Sequence, residues 1–278
     1  MEKGILYLCA TPIGNLDDIT IRCLETLKQS DVIACEDTRH SLKLLNHFGI
    51  KKPLVSYYEH NKKEKGEYII SLLKEGKMVS LVTDAGTPAI SDPGEDLVKM
   101  CIDEGIKVVP IPGCVAFVNA LIISGQSTKR ISFEGFLSVN KKSRNEHLLS
   151  VKDLKHTLIF YEAPHKLKKT LLDMREVLGN RSITITKELT KLHENAWKTT
   201  FDEAISFYEE NIPKGEFALV IEGAKDEEAK SENLNLTIYE HVNMLISEGI
   251  DKKEAMKMVA NERNISKRDV YNEYEREK

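Results

Sequence analysis

The chain has 278 residues, 41% hydrophobic and 30% charged, with a net charge of −4. That length suits about two domains of ~150 residues each, and no apolar run approaches the ~20 residues of a membrane span. Five cysteines (Cys9, Cys23, Cys35, Cys101, Cys114) are scattered and never form a CxxC pair. This argues against a disulfide framework and a thiolate zinc site, and points to reduced thiols in a cytoplasmic protein.

The first apolar segment, 4–10, is too short for a signal-peptide core and reads as a strand. A polar loop leads to a helix over 20–30, with Ile21, Leu24 and Leu27 on one face. Strand 31–35, helix 38–48 stopped by Gly49, strand 53–57 and helix 64–75 closed by Gly76 follow. The run 78–82 is rich in Val and Leu and too short for a helix, so it reads as a buried strand. After it Asp84, Gly86, Thr87, Pro88, Ser91, Asp92, Pro93 and Gly94 crowd into eleven residues. Gly opens backbone shapes closed to other residues and Pro fixes φ, so this is a rigid loop. Asp92 is a candidate N-cap and Pro93 a candidate first residue for the next helix, 95–104. In an open α/β sheet such a loop sits at the carboxyl ends of the strands, where ligands bind.

Strand 106–111 and a nearly continuous apolar helix over 114–124, expected to be buried on both sides, complete the first βα series. The alternation implies a mostly parallel sheet covered by helices. A second series begins near Arg130: strand 131–137, helix 143–153, strand 156–162, helix 164–178, strands 183–189 and 195–200, helix 201–210 and strand 217–222. Adjacent strands here suggest a mixed sheet. Residues 225–235 are polar and charged and read as a linker. Three short helices over 238–248, 251–261 and 266–275 suit a small helix-turn-helix-like module, with Met244, Leu245, Ile250, Met256 and Val259 as its own core. The expected domains are 1–117, 118–225 and 236–278, joined by the linker 226–235.

Several motifs carry a resemblance. Thr11-Pro12-Ile13-Gly14-Asn15-Leu16-Asp17-Asp18-Ile19-Thr20 resembles the first cofactor loop of the tetrapyrrole methylase superfamily. Asp84-Ala85-Gly86-Thr87-Pro88-Ala89-Ile90-Ser91-Asp92-Pro93-Gly94 resembles the branch that methylates small-subunit ribosomal RNA. Cys35-Glu36-Asp37-Thr38-Arg39, Tyr58-Glu59-His60-Asn61, Phe160-Tyr161-Glu162-Ala163-Pro164-His165, Lys187-Glu188-Leu189-Thr190-Lys191 and Gly215-Glu216-Phe217 resemble further blocks of that branch, in order, over nearly the whole chain. Two departures stand out: Pro112-Gly113-Cys114-Val115-Ala116 replaces a Pro-Gly-Pro-Ser-Ala pattern, and Lys166 follows Pro164-His165 where Arg is common. Lysine keeps the charge but loses the planar fork.

The resemblance implies two α/β domains of the tetrapyrrole-methylase type (class III methyltransferases), with S-adenosylmethionine in a cleft between them. It implies methyl transfer to the ribose 2′-hydroxyl of a cytidine in the decoding region of 16S ribosomal RNA, within an assembled or nearly assembled 30S subunit, by a homodimer without a metal. The candidate cofactor residues are Pro12, Ile13, Asp84, Thr87, Pro88, Ile90, Ser91, Ala116, Phe117, Tyr161, Pro164, Ala218 and Leu219. The sulfonium is already activated, so the protein must position the acceptor and manage one proton. Candidates for the proton lie at three strand ends: Glu36 with Asp37, His60, and Lys187 with Glu188.

Charge is uneven. Residues 129–200 carry fifteen Lys and Arg against eight Asp and Glu, a net +7, leaving −11 for the rest. A basic middle suggests an anionic partner. Arg39, Lys141, Lys142, Arg144, Lys166, Lys168 and Lys169 are the candidate phosphate contacts, with Tyr57, Tyr58 and Trp197 available for stacking. An alternative within the same fold is a precorrin-type or diphthine-type methyltransferase, whose cofactor loop tends toward Gly-Asp-Pro where this chain has Gly86-Thr87-Pro88. A nucleic-acid-binding regulator acting through its tail predicts a strongly basic tail, whereas 236–278 carries a net −1. A scaffolding protein leaves the Gly- and Pro-rich strand ends without a purpose.

Overall fold

A computed structural model describes residues 3–225 and 236–276 apart from Glu248 and Asn264. The expected linker 226–235 lies outside the described residues. Two bodies are separated by contacts, 1–222 and 223–278.

The first body opens with a five-stranded sheet. Its strands are β1 (Ile5–Cys9), β2 (Val32–Cys35), β3 (Leu54–Ser56), β4 (Val79–Val82) and β5 (Lys107–Ile111). They lie side by side in the order β3-β2-β4-β1-β5, all parallel. Helices α1 (Ile21–Gln29), α2 (Thr38–His47), α3 (Lys62–Lys74), α4 (Gly94–Asp103) and α5 (Ala116–Ile123) make the connections. Two apolar layers cover the sheet. One is built around Leu6, Tyr57, Ile69, Leu73 and Leu97, the other around Cys9, Leu27, Ile33 and Ile111. Parallel strands covered on both faces are buried at successive positions, as β4 is along its whole length, with Ser80 between Val79 and Leu81.

The second sheet contains β6 (Ile131–Phe136), β7 (Thr157–Glu162), β8 (Ser182–Lys187), β9 (Asn195–Thr200) and β10 (Phe217–Ile221). The order is β6-β7-β10-β8-β9, with β6 and β7 parallel and the remaining pairs antiparallel. Helices α6 (Lys141–Val151), α7 (Pro164–Leu178) and α8 (Phe201–Glu210) pack on one face over Phe160, Leu171, Phe201 and Leu219. The other face meets the first half: Ile159, Ala218 and Val220 pack with Ile13, Ala120 and Leu121. The second body holds α9 (Ile238–Ser247), α10 (Lys252–Glu262) and α11 (Lys267–Arg276), closed around Val242, Leu245, Met256, Val259 and Tyr274. No helix among the described residues is long and apolar enough to cross a membrane.

Several local expectations are corrected. Thr20 caps α1, its side chain accepting from Cys23 N–H, and Ile21 in the first turn is 77% exposed instead of facing the core. Helix α4 starts at Gly94 with Pro93 at the cap position; Asp92 folds back into its own loop instead of capping. Helix α5 is not buried on both sides, since Val118, Ile122 and Ile123 face outward. Helix α6 begins at Lys141, two residues earlier than expected, because the Asn140 side chain accepts from the Lys142 and Ser143 amides.

Arg144, expected as a phosphate contact, is only 4% exposed. Its guanidinium lies 2.6 Å from Asp173 and donates to the carbonyls of Ser138 and Val139 at 2.9 and 3.1 Å. It ties the start of α6 to α7 and is unavailable to RNA. Arg144→Ala would strand a largely buried carboxylate and two carbonyls, and breaking a buried pair costs about 3 kcal/mol. Urea unfolding of this variant should show that loss, with the dependence on urea unchanged.

Candidate functional site

The two sheets present the same kind of edge to each other. The segments after β1, β2, β4 and β5 face the segments after β6, β7 and β8 and the start of β10. Between them lies a cavity of about 500 Å³. The first sheet contributes Ile13, Glu36, the run 83–87, Ile90 to Asp92, Val115 and Ala116. The second contributes Phe136, Tyr161 to Pro164, Leu189 and Glu216 to Ala218. This is the carboxyl-end position at which open α/β sheets bind ligands.

The loop after β4 is fixed by its own hydrogen bonds. Thr11 and Gly86 exchange backbone bonds of 2.8 and 3.1 Å, which joins it to the loop after β1. Gly86 has φ +88°, a shape glycine adopts freely, and a Cβ there would sit 3.3 Å from Ile13. Thr87 Oγ1 donates to the Cys114 carbonyl at 2.9 Å. Asp92 Oδ1 accepts from the amides of Ala89 and Gly94 at 3.0 and 2.7 Å. Ala89 and Ser91 are held at φ +69° and +62°, a conformation that disfavours side chains. The other two described non-glycine residues in that region, Glu188 and Thr190, flank Leu189 across the cleft. Backbone strain is therefore concentrated at the two loops that line the cavity.

Electrostatically the cavity is acidic. Glu36, Asp84, Asp92, Glu162 and Glu216 line it, and no Lys, Arg or His among the described residues does. Partial burial and then the Asp84 and Asp92 carboxylates push Glu36 above the ordinary glutamate range, opposed by the Thr83 hydroxyl. Asp84 Oδ1 accepts from the Asp37 amide at 3.2 Å. Asp92 Oδ2 is buried without a hydrogen-bond partner. Glu162 is committed to the protein, accepting from Ala163 N–H at 2.8 Å and the Thr170 hydroxyl at 2.5 Å. Tyr161 accepts from Phe117 N–H at 2.9 Å, and burial raises its phenol despite that bond.

Of the residues expected to bind the cofactor, Ile13, Asp84, Thr87, Ile90, Ser91, Ala116, Tyr161, Pro164 and Ala218 line the cavity. Pro12 and Pro88 are buried outside its lining. Phe117 offers its amide to Tyr161 while its ring stacks on Phe133 at 4.4 Å. Leu219 points to the opposite face of the sheet, into the core under α7 and α8, because strand side chains alternate.

Of the five catalytic candidates only Glu36 lines the cavity. Asp37 caps α2 and is held at about 2 by hydrogen bonds from the Arg39 side chain and amide. His60 is exposed, near Tyr58, and lines a separate surface groove with Asn61 and Glu64. Lys187 lines a different groove. Glu188 resists the upward pull of burial through Lys191 at 3.1 Å and the Glu216 amide, and stays below the usual range. Arg39 lies on Asp37, and Lys142 reaches Glu146 at 3.9 Å; Lys141, Lys168 and Lys169 are exposed and Lys166 is half-buried. Tyr57 is buried, its hydroxyl donating to the Pro93 carbonyl at 3.0 Å. The sequence reading missed Val115, Phe136, Glu216 and Phe217 as lining residues, and read Asp92 as a cap. Phe136 is brought in by the register shift between Phe133 and Gly135, which leaves no periodic signal.

Comparison with known proteins agrees with this architecture. A relative in Halalkalibacterium halodurans, named ribosomal RNA small subunit methyltransferase I, is 51% identical over 99% of this chain and 96% of its own. One of the same name in Bacillus subtilis is 49% identical over 98% of this chain and 94% of its own. The crystal structure of a uroporphyrin-III-C-methyltransferase from Thermus thermophilus superposes with a TM-score of 0.55 at 19% identity, covering 78% of this chain and 94% of that one. The family model for Tetrapyrrole (Corrin/Porphyrin) Methylases matches residues 5–205, so the chain belongs to that family of S-adenosylmethionine-dependent methyltransferases.

Proposed function

We propose that this protein transfers a methyl group from S-adenosylmethionine to the ribose 2′-hydroxyl of a cytidine in the decoding region of 16S ribosomal RNA. The likeness to relatives named for small-subunit ribosomal RNA methylation supports the substrate class. We place the reaction in the cytoplasm, on an assembled or nearly assembled 30S subunit, with a homodimer as the working form. The outward-facing Val118, Ile122 and Ile123 on α5 favour self-association.

The cavity residues fit the donor. A site lined by five carboxyl groups and, among the described residues, no cation suits a ligand bearing sulfonium and ammonium charges. The buried, unpartnered Asp92 Oδ2 offers an acceptor to a ligand N–H or O–H. Ile13, Ile90, Ala116 and Ala218 supply apolar walls for an adenosine, and Thr87 and Ser91 shape the loop around it. When bound, the donor supplies a methyl group on positively charged sulfur. The chain's own residues then hold the acceptor in line and take up its proton. Methylation of the acceptor oxygen would release its hydroxyl proton, which a residue of the chain must take up. We assign that role to Glu36: it faces the cavity, has no ion-pair partner among the described residues and only a long 3.5 Å hydrogen bond from the Thr83 hydroxyl, and has an affinity for protons raised by burial and by Asp84 and Asp92. The exposed Lys141, Lys142, Lys168 and Lys169 are offered to phosphates of the surrounding RNA.

The assay is labelled S-adenosylmethionine with 30S particles lacking the modification. Label in a nuclease-resistant dinucleotide supports a ribose 2′-O product, and label on a base overturns it. Glu36→Gln should lower kcat by ~100-fold or more with a smaller change in the KM for the donor. In the wild type the rate should rise with pH as the raised Glu36 carboxyl ionises, above the ordinary glutamate range. Gln cannot ionise, so that limb should vanish in the variant. Thr87→Arg places a long cation in the cavity and breaks the bond to Cys114, so calorimetry should show donor binding lost while the fold persists.

A further inference from the structure

A second groove, of about 640 Å³, lies along β8, β9 and the end of α8. It is opposite in character to the catalytic cavity. Lys187, His193 and Lys214 line it, and no Asp or Glu among the described residues does. These three side chains have no ion-pair partner among the described residues. Its wall is aromatic: Trp197 packs edge-on against Phe207 at 4.9 Å, and Phe207 remains 46% exposed. The groove and the cavity share Phe217, and Lys187 lies directly across the strand pair from it.

An acceptor strand carries one phosphate per nucleotide. A cavity lined by five acids repels those phosphates, so the chain around the reacting nucleotide needs cations beside the cavity instead of inside it. The groove supplies them on the other face of the second sheet, with the buried Phe217 between the two spaces, together with aromatic faces that hold unpaired bases without regard to sequence. We infer that this groove binds single-stranded RNA: a nucleotide flanking the acceptor stacks its base on the Trp197–Phe207 wall, and Lys187 and Lys214 hold its phosphates. The inference rests on the RNA acceptor proposed above and names where that acceptor's flank is gripped.

Trp197 is the single tryptophan of the chain, so its fluorescence reports the groove directly. The full-length protein is titrated at low salt with a cytidine-rich oligoribonucleotide of about six nucleotides, within the usual range of single-strand sites. Saturable quenching is expected, and saturating S-adenosylmethionine should leave it in place. Lys187→Glu with Lys214→Glu should weaken it at least ~10-fold and flatten its salt dependence. An abasic strand of equal length should also bind at least ~10-fold more weakly, since it offers nothing to stack. Lys214 is exposed, so Lys214→Glu alone keeps the test open should the double variant fail to fold. No quenching, quenching indifferent to charge reversal, displacement by S-adenosylmethionine, or equal quenching by an acidic peptide would each overturn the inference. Methyl transfer to 30S without quenching removes the groove and keeps the activity; quenching without methyl transfer does the reverse.

Discussion

The cleft depends on holding the segment after β4 in a backbone shape its residues resist. Ala89 and Ser91 sit at positive φ, where a side chain costs on the order of 1 kcal/mol or more each. Three anchors offset that cost: the paired backbone bonds between Thr11 and Gly86, the Thr87 hydroxyl on Cys114, and Asp92 bonded to Ala89 and Gly94. Each contributes about 1 kcal/mol net. A Cβ at Gly94 would fall 2.7 Å from Asp92 Oδ1 and 2.9 Å from the Ala89 amide, so glycine is required where the loop turns into α4. The outcome is a wall whose shape is set before any ligand arrives, which lowers the ordering cost of binding.

Because the loop is fixed, so are its charges. Asp84 and Asp92 stand on it, and Glu36 faces them from the end of β2. Partial burial and the charges of Asp84 and Asp92 raise the proton affinity of Glu36. In the mechanism we propose, the same crowding that suits a cationic donor raises that proton affinity. Cations are kept to the other side of Phe217, around the aromatic groove. One residue of the second sheet thus divides an acidic cavity, to which we assign the cationic donor, from a basic groove, to which we assign phosphates.

The element order was legible because parallel strands and amphipathic helices write their periods into the sequence. The loop 84–94 was legible because Gly, Pro and Asp are dense there for a reason of backbone geometry. Choosing between neighbours was not. Glu36 and Asp37 are adjacent, chemically alike carboxylates; one faces the cavity and the other caps α2. Ala218 and Leu219 differ only by strand parity, which places one in the cavity wall and the other in the core. Arg144 looked like a surface cation because its partner Asp173 is twenty-nine positions away. Phe136 joins the site only when the second sheet folds against the first, and no local pattern announces that; Gly215-Glu216-Phe217 stood out as a motif, but nothing local gave Glu216 a place in the cavity.

The central claim is that both sheets close on one donor. Hydrogen exchange, followed by mass spectrometry with and without S-adenosylmethionine, tests it most directly. The account predicts slower exchange on binding in four stretches together, 11–14, 84–92, 188–191 and 216–218, with the second body unchanged. Protection confined to one sheet, or centred away from the loop after β4, would contradict it.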